Sequence, residues 1–135
     1  MKRRSALRLI TLTVLLILPI AAPAHHSFSA EFDESRTVHM EGKVTKVDWS
    51  NPHVLIYFRV TDSSGKPTVW TIQASQIEVL MRNGWAKDTL KPDMPIRVEG
   101  FLPKKSSQVL GSAAVTIVSS GQVLKTPREW NFQKR

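Results

Sequence analysis

Apolar and polar side chains alternate along most of the chain from Val38 onward, at the two-residue period of β-strands that bury one face. The first alternating run keeps its apolar face as far as Val44 and resumes it at Val47 only after the phase slips. A slip of this kind within one strand is typical of a β-bulge, where an extra residue bends the strand. The pattern therefore predicts a first strand that begins at Val38 and bends near its middle.

Two further alternating runs predict a second strand over residues 53–60 and a third over residues 68–74. Asn51-Pro52 marks the turn before the second strand, and the polar segment 62–67 is typical of a hairpin loop. The side chains expected on the inward face of these two strands are Val54, Ile56, Phe58, Val60, Trp70 and Ile72.

A short helix is predicted after the third strand. Ser75 and Glu78 have the spacing of a capping box, in which each side chain binds an otherwise unpaired amide of the first helical turn. Gly84 predicts the end of the helix, because glycine readily adopts the left-handed conformation that stops a helix. The stripe expected to be buried consists of Ile77, Leu80 and Met81.

Alternation resumes in a fourth strand over residues 96–101 and a fifth around residues 113–117, with a brief return at residues 122–124. Three strands, a short helix and two strands are the element order of an OB barrel. We therefore predict a mainly β protein, a small five- to six-stranded OB-like barrel with one short helix between strands three and four. A small β-sandwich with a helical insertion is the alternative.

The first 24 residues have the three parts of a cleavable signal peptide. A basic start, Met1–Arg4, precedes the apolar run 9–18, and Ala22-Pro23-Ala24 provides a small-residue exit. A retained membrane anchor is the alternative, but spanning a bilayer takes about 20 apolar residues, and Pro19 interrupts this run. We expect export to the periplasm or into the medium, and a mature chain that begins His25-His26 and has no membrane span.

The mature chain is expected to form one domain with short extensions. Residues 25–37 are polar and predict an N-terminal arm, residues 38–124 form the OB-like β domain, and residues 125–135 form a C-terminal tail with Trp130 and Phe132. The sequence has no cysteine, so disulfides cannot contribute to its stability.

Cleavage would change the net charge of the chain. The full sequence carries 19 basic and 11 acidic residues, a formal charge of +8. The signal segment holds four of the basic residues and none of the acids, which leaves the mature chain at +4. Proteins that bind nucleic acids typically carry a clustered basic surface, and the mature chain is only mildly cationic. We therefore expect no nucleic-acid partner.

Several short strings occur together along the chain: His25-His26-Ser27-Phe28, the segment Val47–His53, Gly84-Trp85 and Val98-Glu99-Gly100. With them, the mature chain to about Leu124 resembles the exported family catalogued as domain of unknown function 6152. The Asn-Pro-His string after Asp-Trp is the most specific part of the resemblance, and the tail departs from the family pattern. The resemblance implies export and a small β-rich domain, and it implies no activity.

The mature N-terminus is the clearest candidate for metal chemistry. His25 would offer a free α-amine beside its imidazole, and His26 would add a second imidazole. Such nitrogen ligands suit Cu(II) or Ni(II), and an amine with a pKa of about 8 loses its proton when a metal competes for it. His53 completes the set if the arm folds back. The alternative is that the histidine pair has no role, and cleavage one residue away would remove the chelate.

A second candidate site surrounds the predicted turn before the second strand, since loops between barrel strands commonly carry ligand contacts. Structural roles are the alternative: the Asn51 side chain stabilises the turn, and His53 lies on the solvent face. The aromatic residues Trp49, Tyr57 and Trp70 either form a platform for a ligand or fill the core. The predicted ligand-binding residues are Trp49, Asn51, His53 and Tyr57.

Catalytic motifs are absent from the sequence. It contains no cysteine nucleophile, no His-Glu-x-x-His string, no Gly-x-Ser-x-Gly elbow and no phosphate-binding loop, and we expect no enzymatic activity. Three hypotheses remain. They are an exported binding module for an unknown ligand or protein, a periplasmic copper-binding protein, and an envelope component that binds another protein through its aromatic tail.

Overall fold

The computed structural model describes residues 28–127, apart from the side chain of Ser112. The predicted signal segment, the pair His25-His26 and the aromatic residues of the tail lie outside this range. No helix in the described range is long and apolar enough to cross a membrane. The helices and strands are α1 (Phe28–Glu31), β1 (Phe32–Asp48), β2 (Leu55–Thr61), β3 (Pro67–Gln73), α2 (Ile77–Arg82), β4 (Pro95–Pro103), β5 (Val109–Ile117) and β6 (Val123–Lys125).

Five of these strands close into a barrel. Their hydrogen-bonded order is β3-β2-β1-β4-β5, and parallel pairing between β3 and β5, which sets Ile72 beside Leu110, closes the ring. This connectivity, with α2 between β3 and β4, is that of an OB barrel rather than of a sandwich. The predicted fold class is therefore confirmed: a mainly β protein with a small closed barrel. β6 adds a sixth strand beside β5.

β1 is the long strand that pairs with both β2 and β4. Its register against β2 shifts between Val44 and Lys46, so the predicted bulge is confirmed. The predicted start at Val38 is wrong, because Phe32 already pairs with β4. A second irregularity before Thr37 interrupts this ladder and breaks the alternation on which the prediction was based. Most of the described part of the predicted arm is therefore strand.

The barrel interior is filled by the inward positions of its strands. The alternation predicted for β2 is confirmed, since Ile56 and Phe58 are fully buried, as is Val54 just before the strand. On β3, Ile72 is fully buried and Trp70 packs against the core while partly exposed. Burial of each large apolar side chain stabilises the fold by about 1.5–3 kcal/mol, so this core is the main source of stability.

The start of α2 differs from the prediction. Its N-cap is Gln76, and the expected cap Ser75 is buried and donates its hydroxyl to the carbonyl oxygen of Pro127. The backbone N–H of Ile77 donates instead to the side-chain oxygen of Asn51, 3.0 Å away. The predicted capping box is therefore wrong, because a residue from a distant turn supplies the cap.

The end of α2 follows the prediction. Gly84 has a φ of 85°, its N–H donates to the carbonyl oxygen of Met81, and the N–H of Trp85 donates to that of Leu80. This pair of bonds is the Schellman motif. Within the predicted stripe, Leu80 is buried and Ile77 half-buried, but Met81 is 60% exposed and its predicted burial is wrong. A helix of six residues turns only a narrow face to the barrel.

Hydrogen bonds from separate parts of the chain hold the end of β6 and the residue after it against the barrel. The indole N–H of Trp85 donates to the carbonyl oxygen of Lys125 at 2.8 Å. The hydroxyl of Thr126 accepts from the N–H of Ala113 at 2.7 Å and donates to its carbonyl oxygen at 2.8 Å. The described start of the predicted tail is therefore packed against the domain.

The predicted hairpin loop between β2 and β3 is organised by one carboxylate. Asp62 accepts hydrogen bonds from the hydroxyl of Ser64 at 2.6 Å and from the backbone N–H groups of Ser64 and Lys66 at 2.9 Å. These donors, the hydroxyl foremost, hold the pKa of the Asp62 carboxyl below its ordinary value of 3.8. The carboxylate therefore keeps its charge, and its loop contacts, into more acidic solution than an ordinary aspartate.

Candidate functional site

The turn that connects β1 to β2 is held against the junction of β3 and α2. Asn51 of this turn caps α2, and the Nδ1 atom of His53 lies 3.1 Å from the carbonyl oxygen of Ala74. Beside this contact, the N–H of Ala74 donates to the carbonyl oxygen of Val54 at 2.9 Å. Two of the predicted ligand-binding residues, Asn51 and His53, thus connect the turn to a distant part of the chain.

The contact of His53 determines which ring nitrogen carries a proton. A carbonyl oxygen can only accept, so Nδ1 donates to Ala74, and in the neutral ring the lone pair then lies on Nε2. Histidines that bind metals through Nε2 commonly donate Nδ1–H to a backbone carbonyl. The tautomer of His53 therefore fits a metal ligand as well as a structural residue.

The aromatic residues near this turn do not share one surface. Trp49 and Trp70 are half-buried and pack against the core, in agreement with their structural interpretation. Tyr57 lies on the opposite, outward side of β2, where the ammonium of Lys46 is 5.7 Å from the ring centroid. Such a contact at an exposed site contributes only about 0.5–1 kcal/mol, so a ligand can displace it readily.

The start of the described chain packs over the outer side of β5. Phe28 stacks on Phe32 with ring centroids 4.8 Å apart and meets Phe101 edge-on at 5.9 Å. Gly111 lies beneath these rings, and a Cβ atom there would be 2.6 Å from the ring of Phe32 and 2.7 Å from that of Phe28. Glycine at this position therefore allows the two rings to approach the sheet.

This packing places Phe28 near the part of the chain that contacts His53. Gly111 pairs with the end of β3, just before Ala74, whose carbonyl oxygen binds His53. His25 precedes Phe28 by three residues, a length of chain that spans at most about 10 Å. The described part of the chain contains no group of three or more His, Cys, Asp or Glu side chains that could hold a metal ion.

A further surface, of which the predicted ligand-binding residues include only Tyr57, lies on the outward side of β1, β2 and β3. Lys43 is paired with Arg59 across the β1–β2 ladder, and in the next row Lys46 is paired with Tyr57. None of the three cations forms an ion pair with a residue in the described part of the chain. We refer to this surface as the outer β1–β3 face; it consists of Lys43, Lys46, Tyr57, Arg59, Val69 and Thr71.

The described surface includes two grooves of different volume. The smaller, of about 340 Å³, lies at one end of the outer β1–β3 face and is lined by Lys43, Arg59 and Thr61, together with Glu41 and Arg97 from the β1–β4 side. Glu41 and Arg97 form an ion pair at 2.7 Å, which leaves the other two cations of the groove without an acidic partner in the described chain. The larger groove, of about 480 Å³, lies where the described chain ends.

The chain matches a family of known sequences, although no curated protein and no solved structure matches it significantly. A model of a family of unknown function, DUF6152, matches residues 14–113, which include the described chain from α1 into β5. The match covers well over half of the sequence and agrees with the resemblance seen in its short strings. The chain therefore belongs to the DUF6152 family.

Proposed function

We propose that this protein is an exported binding module, without catalytic activity, whose ligand-binding surface is the outer β1–β3 face. OB barrels commonly bind oligonucleotides and oligosaccharides on the outward side of strands two and three. The observation that supports the proposal most is the position of Tyr57, a half-exposed aromatic ring presented outward by β2 in a row with Lys46. A strand holds the ring rigidly, so little conformational entropy is lost when a ligand stacks on it.

Export is part of the proposal. The basic start, apolar run and small-residue exit of the first 24 residues support cleavage after Ala24 and residence outside the cytoplasm. The mass of the chain recovered from the periplasm or the medium is expected to correspond to a start at His25.

Binding of the mature chain to a panel of oligosaccharides and lipids tests the surface assignment. We expect at least one member of the panel to bind, and to bind the variant Tyr57→Ser roughly tenfold more weakly, because stacking on the ring is lost. Val123→Ser is the matched control, since Val123 is an exposed apolar residue on β6, outside the face. Equal binding by Tyr57→Ser and the unsubstituted chain, or no binding by any member, would contradict the assignment.

A second candidate function is the binding of Cu(II) by the mature N-terminus together with His53. Two observations favour it. Because Nδ1 donates to Ala74, Nε2 is the nitrogen through which a neutral His53 would coordinate a metal. The packing of Phe28 over Gly111 anchors the chain three residues after His25, beside the end of β3, which directly precedes the Ala74 that contacts His53. A terminal amine and imidazoles then form the nitrogen-rich set that Cu(II) prefers.

Calorimetric titration with Cu(II), with electron paramagnetic resonance to identify the ligands, tests this second candidate. The mature chain is expected to bind Cu(II) through nitrogen, and alanine substitution of His25, His26 or His53 should each weaken binding by roughly tenfold or more. His39→Ala is the control, because His39 is an exposed histidine of β1. An additional alanine before His25 should weaken binding as well, since it separates the amine from the imidazole. Binding that is unchanged by these substitutions would contradict the copper hypothesis.

A further inference from the structure

The charges on the outside of the barrel are paired differently on the two sides of β1. Across the β1–β4 ladder, opposite charges face each other, as in the ion pair of Glu41 with Arg97 at 2.7 Å. Across the β1–β2 ladder, Lys43 and Arg59 are direct partners, so two like charges face each other. Like charges at directly opposite positions destabilise a ladder, because their Cβ atoms are only about 5 Å apart. The repulsion lies within the surface that we assign to the ligand.

The smaller groove brings these charges to a concave part of the surface. Its lining includes the three cations Lys43, Arg59 and Arg97 and a single acid, Glu41. An oxyanion seated between Lys43 and Arg59 would replace their repulsion with two attractions. The guanidinium of Arg59 can bind an oxyanion such as a carboxylate with two parallel N–H groups.

The neighbouring row adds an aromatic ring to the cations. Tyr57 precedes Arg59 by two residues on the same side of β2, so the two side chains are about 7 Å apart along the strand. The ammonium of Lys46 lies 5.7 Å from the centre of the Tyr57 ring. An inorganic anion would use only the cations, whereas a sugar that carries a carboxylate would use both the cations and the flat ring.

We propose that the outer β1–β3 face binds an acidic oligosaccharide. The carboxylate of one sugar lies between Lys43 and Arg59, and an adjoining sugar ring stacks on Tyr57. Lys46 attracts a further acidic group of the same chain. This inference rests on the proposed function, because it specifies the ligand class for the same surface.

Calorimetric titrations with hexagalacturonate and with maltohexaose compare an acidic and a neutral oligosaccharide of equal length. Hexagalacturonate is expected to bind the mature chain, and to bind more weakly as NaCl rises from about 50 mM to about 500 mM, because salt screens exposed charges. Maltohexaose is expected not to bind. Inorganic phosphate and vesicles with anionic phospholipids form two further arms. If either of these binds while hexagalacturonate does not, the proposal is wrong.

Substitutions on the outer β1–β3 face test whether hexagalacturonate binds there. Lys43→Gln and Arg59→Gln are each expected to weaken hexagalacturonate binding at least roughly fivefold, through loss of a charge-assisted contact. Lys87→Gln, which removes an exposed lysine from the loop after α2, is the matched control and should bind as the unsubstituted chain does. Lys43→Glu separates binding from folding: it creates an opposite-charge pair with Arg59, so Tm should rise while binding is lost. Undiminished binding by Lys43→Glu would overturn the proposal.

The proposed function and this inference fail in different ways. If maltohexaose binds and Tyr57→Ser weakens it, the surface is correct and the acidic ligand class is wrong. If hexagalacturonate binds the variants Tyr57→Ser, Lys43→Gln and Arg59→Gln as tightly as it binds the unsubstituted chain, both the surface and the contacts inferred on it are wrong.

Discussion

Replacement of Trp85 by alanine is expected to lower the free energy of unfolding by about 3–5 kcal/mol. The side chain is 4% exposed within the core cluster, and its indole N–H donates to the carbonyl oxygen of Lys125 at 2.8 Å. The substitution removes a large buried aromatic group and leaves that carbonyl without its donor. Because domains of this size have about 5–15 kcal/mol of stability in total, the variant should be only marginally folded.

Urea unfolding of the mature chain, followed by circular dichroism, measures this loss. Trp85→Phe keeps most of the buried ring and removes the hydrogen bond, so it should lose clearly less, with about 1 kcal/mol attributable to the bond. Val69→Ala is the control for an exposed strand position, since Val69 is 47% exposed. A loss of less than about 1 kcal/mol for Trp85→Ala would contradict the burial of Trp85 in the core and its hydrogen bond to Lys125.

Substitution of Gly111 by alanine is expected to lower the free energy of unfolding by about 1–3 kcal/mol, because a methyl group there overpacks the site. The added Cβ would be 2.6 Å from the ring of Phe32 and 2.7 Å from that of Phe28, distances that require both rings to move. Since these rings hold α1 and the start of β1 on the sheet, the displacement should also weaken Cu(II) binding if the second candidate function is correct.

A double-mutant cycle with Phe32→Ala identifies the cause of the Gly111→Ala effect. If the overlap with the ring is responsible, Gly111→Ala should cost less in the Phe32→Ala background, with a coupling free energy of at least about 0.5 kcal/mol. Urea unfolding of the four chains provides the cycle. Costs that simply add would show that the destabilisation does not arise from this contact.

The inward positions of the barrel could be predicted because burial in a strand follows the same two-residue period as the sequence pattern. Ile56 and Phe58 alternate with outward residues and are fully buried, and the phase slip after Val44 coincides with the bulge. Gly84 ended the helix as predicted, because its left-handed conformation is a local property of glycine. In each case the physical cause lies within a few residues of the signal.

Contacts between distant segments leave no such local signal. Ser75 has the spacing of a helix cap, yet its hydroxyl donates to Pro127, and Asn51 caps the helix from 26 residues away. The sequence pattern does not predict the start of β1 at Phe32 for a related reason: the pairing of Phe32 with β4 is long-range, and an irregularity hides the alternation. Propensity and spacing describe a segment in isolation, whereas these features are set by its tertiary partners.

In the candidate site, too, some features follow from the local sequence and others depend on contacts between distant segments. Trp49 and Tyr57 are close in sequence and belong to one predicted site, but Trp49 packs against the core and Tyr57 faces outward. The pairing of Lys43 with Arg59 depends on the length of the turn and on the bulge, since a slip of one residue would place a different side chain opposite. The charges of the face could be read from the sequence, but their register could not.

Backbone amide chemical shifts of the isotopically labelled mature chain, recorded with and without hexagalacturonate, locate the binding surface residue by residue. If the outer β1–β3 face binds the ligand while the turn at Asn51-Pro52-His53 holds the barrel to α2, the largest changes are expected around Lys43, Tyr57 and Arg59, with little change at the turn. Changes centred on the turn or on the larger groove, or no changes at all, would show that this face is not the binding surface.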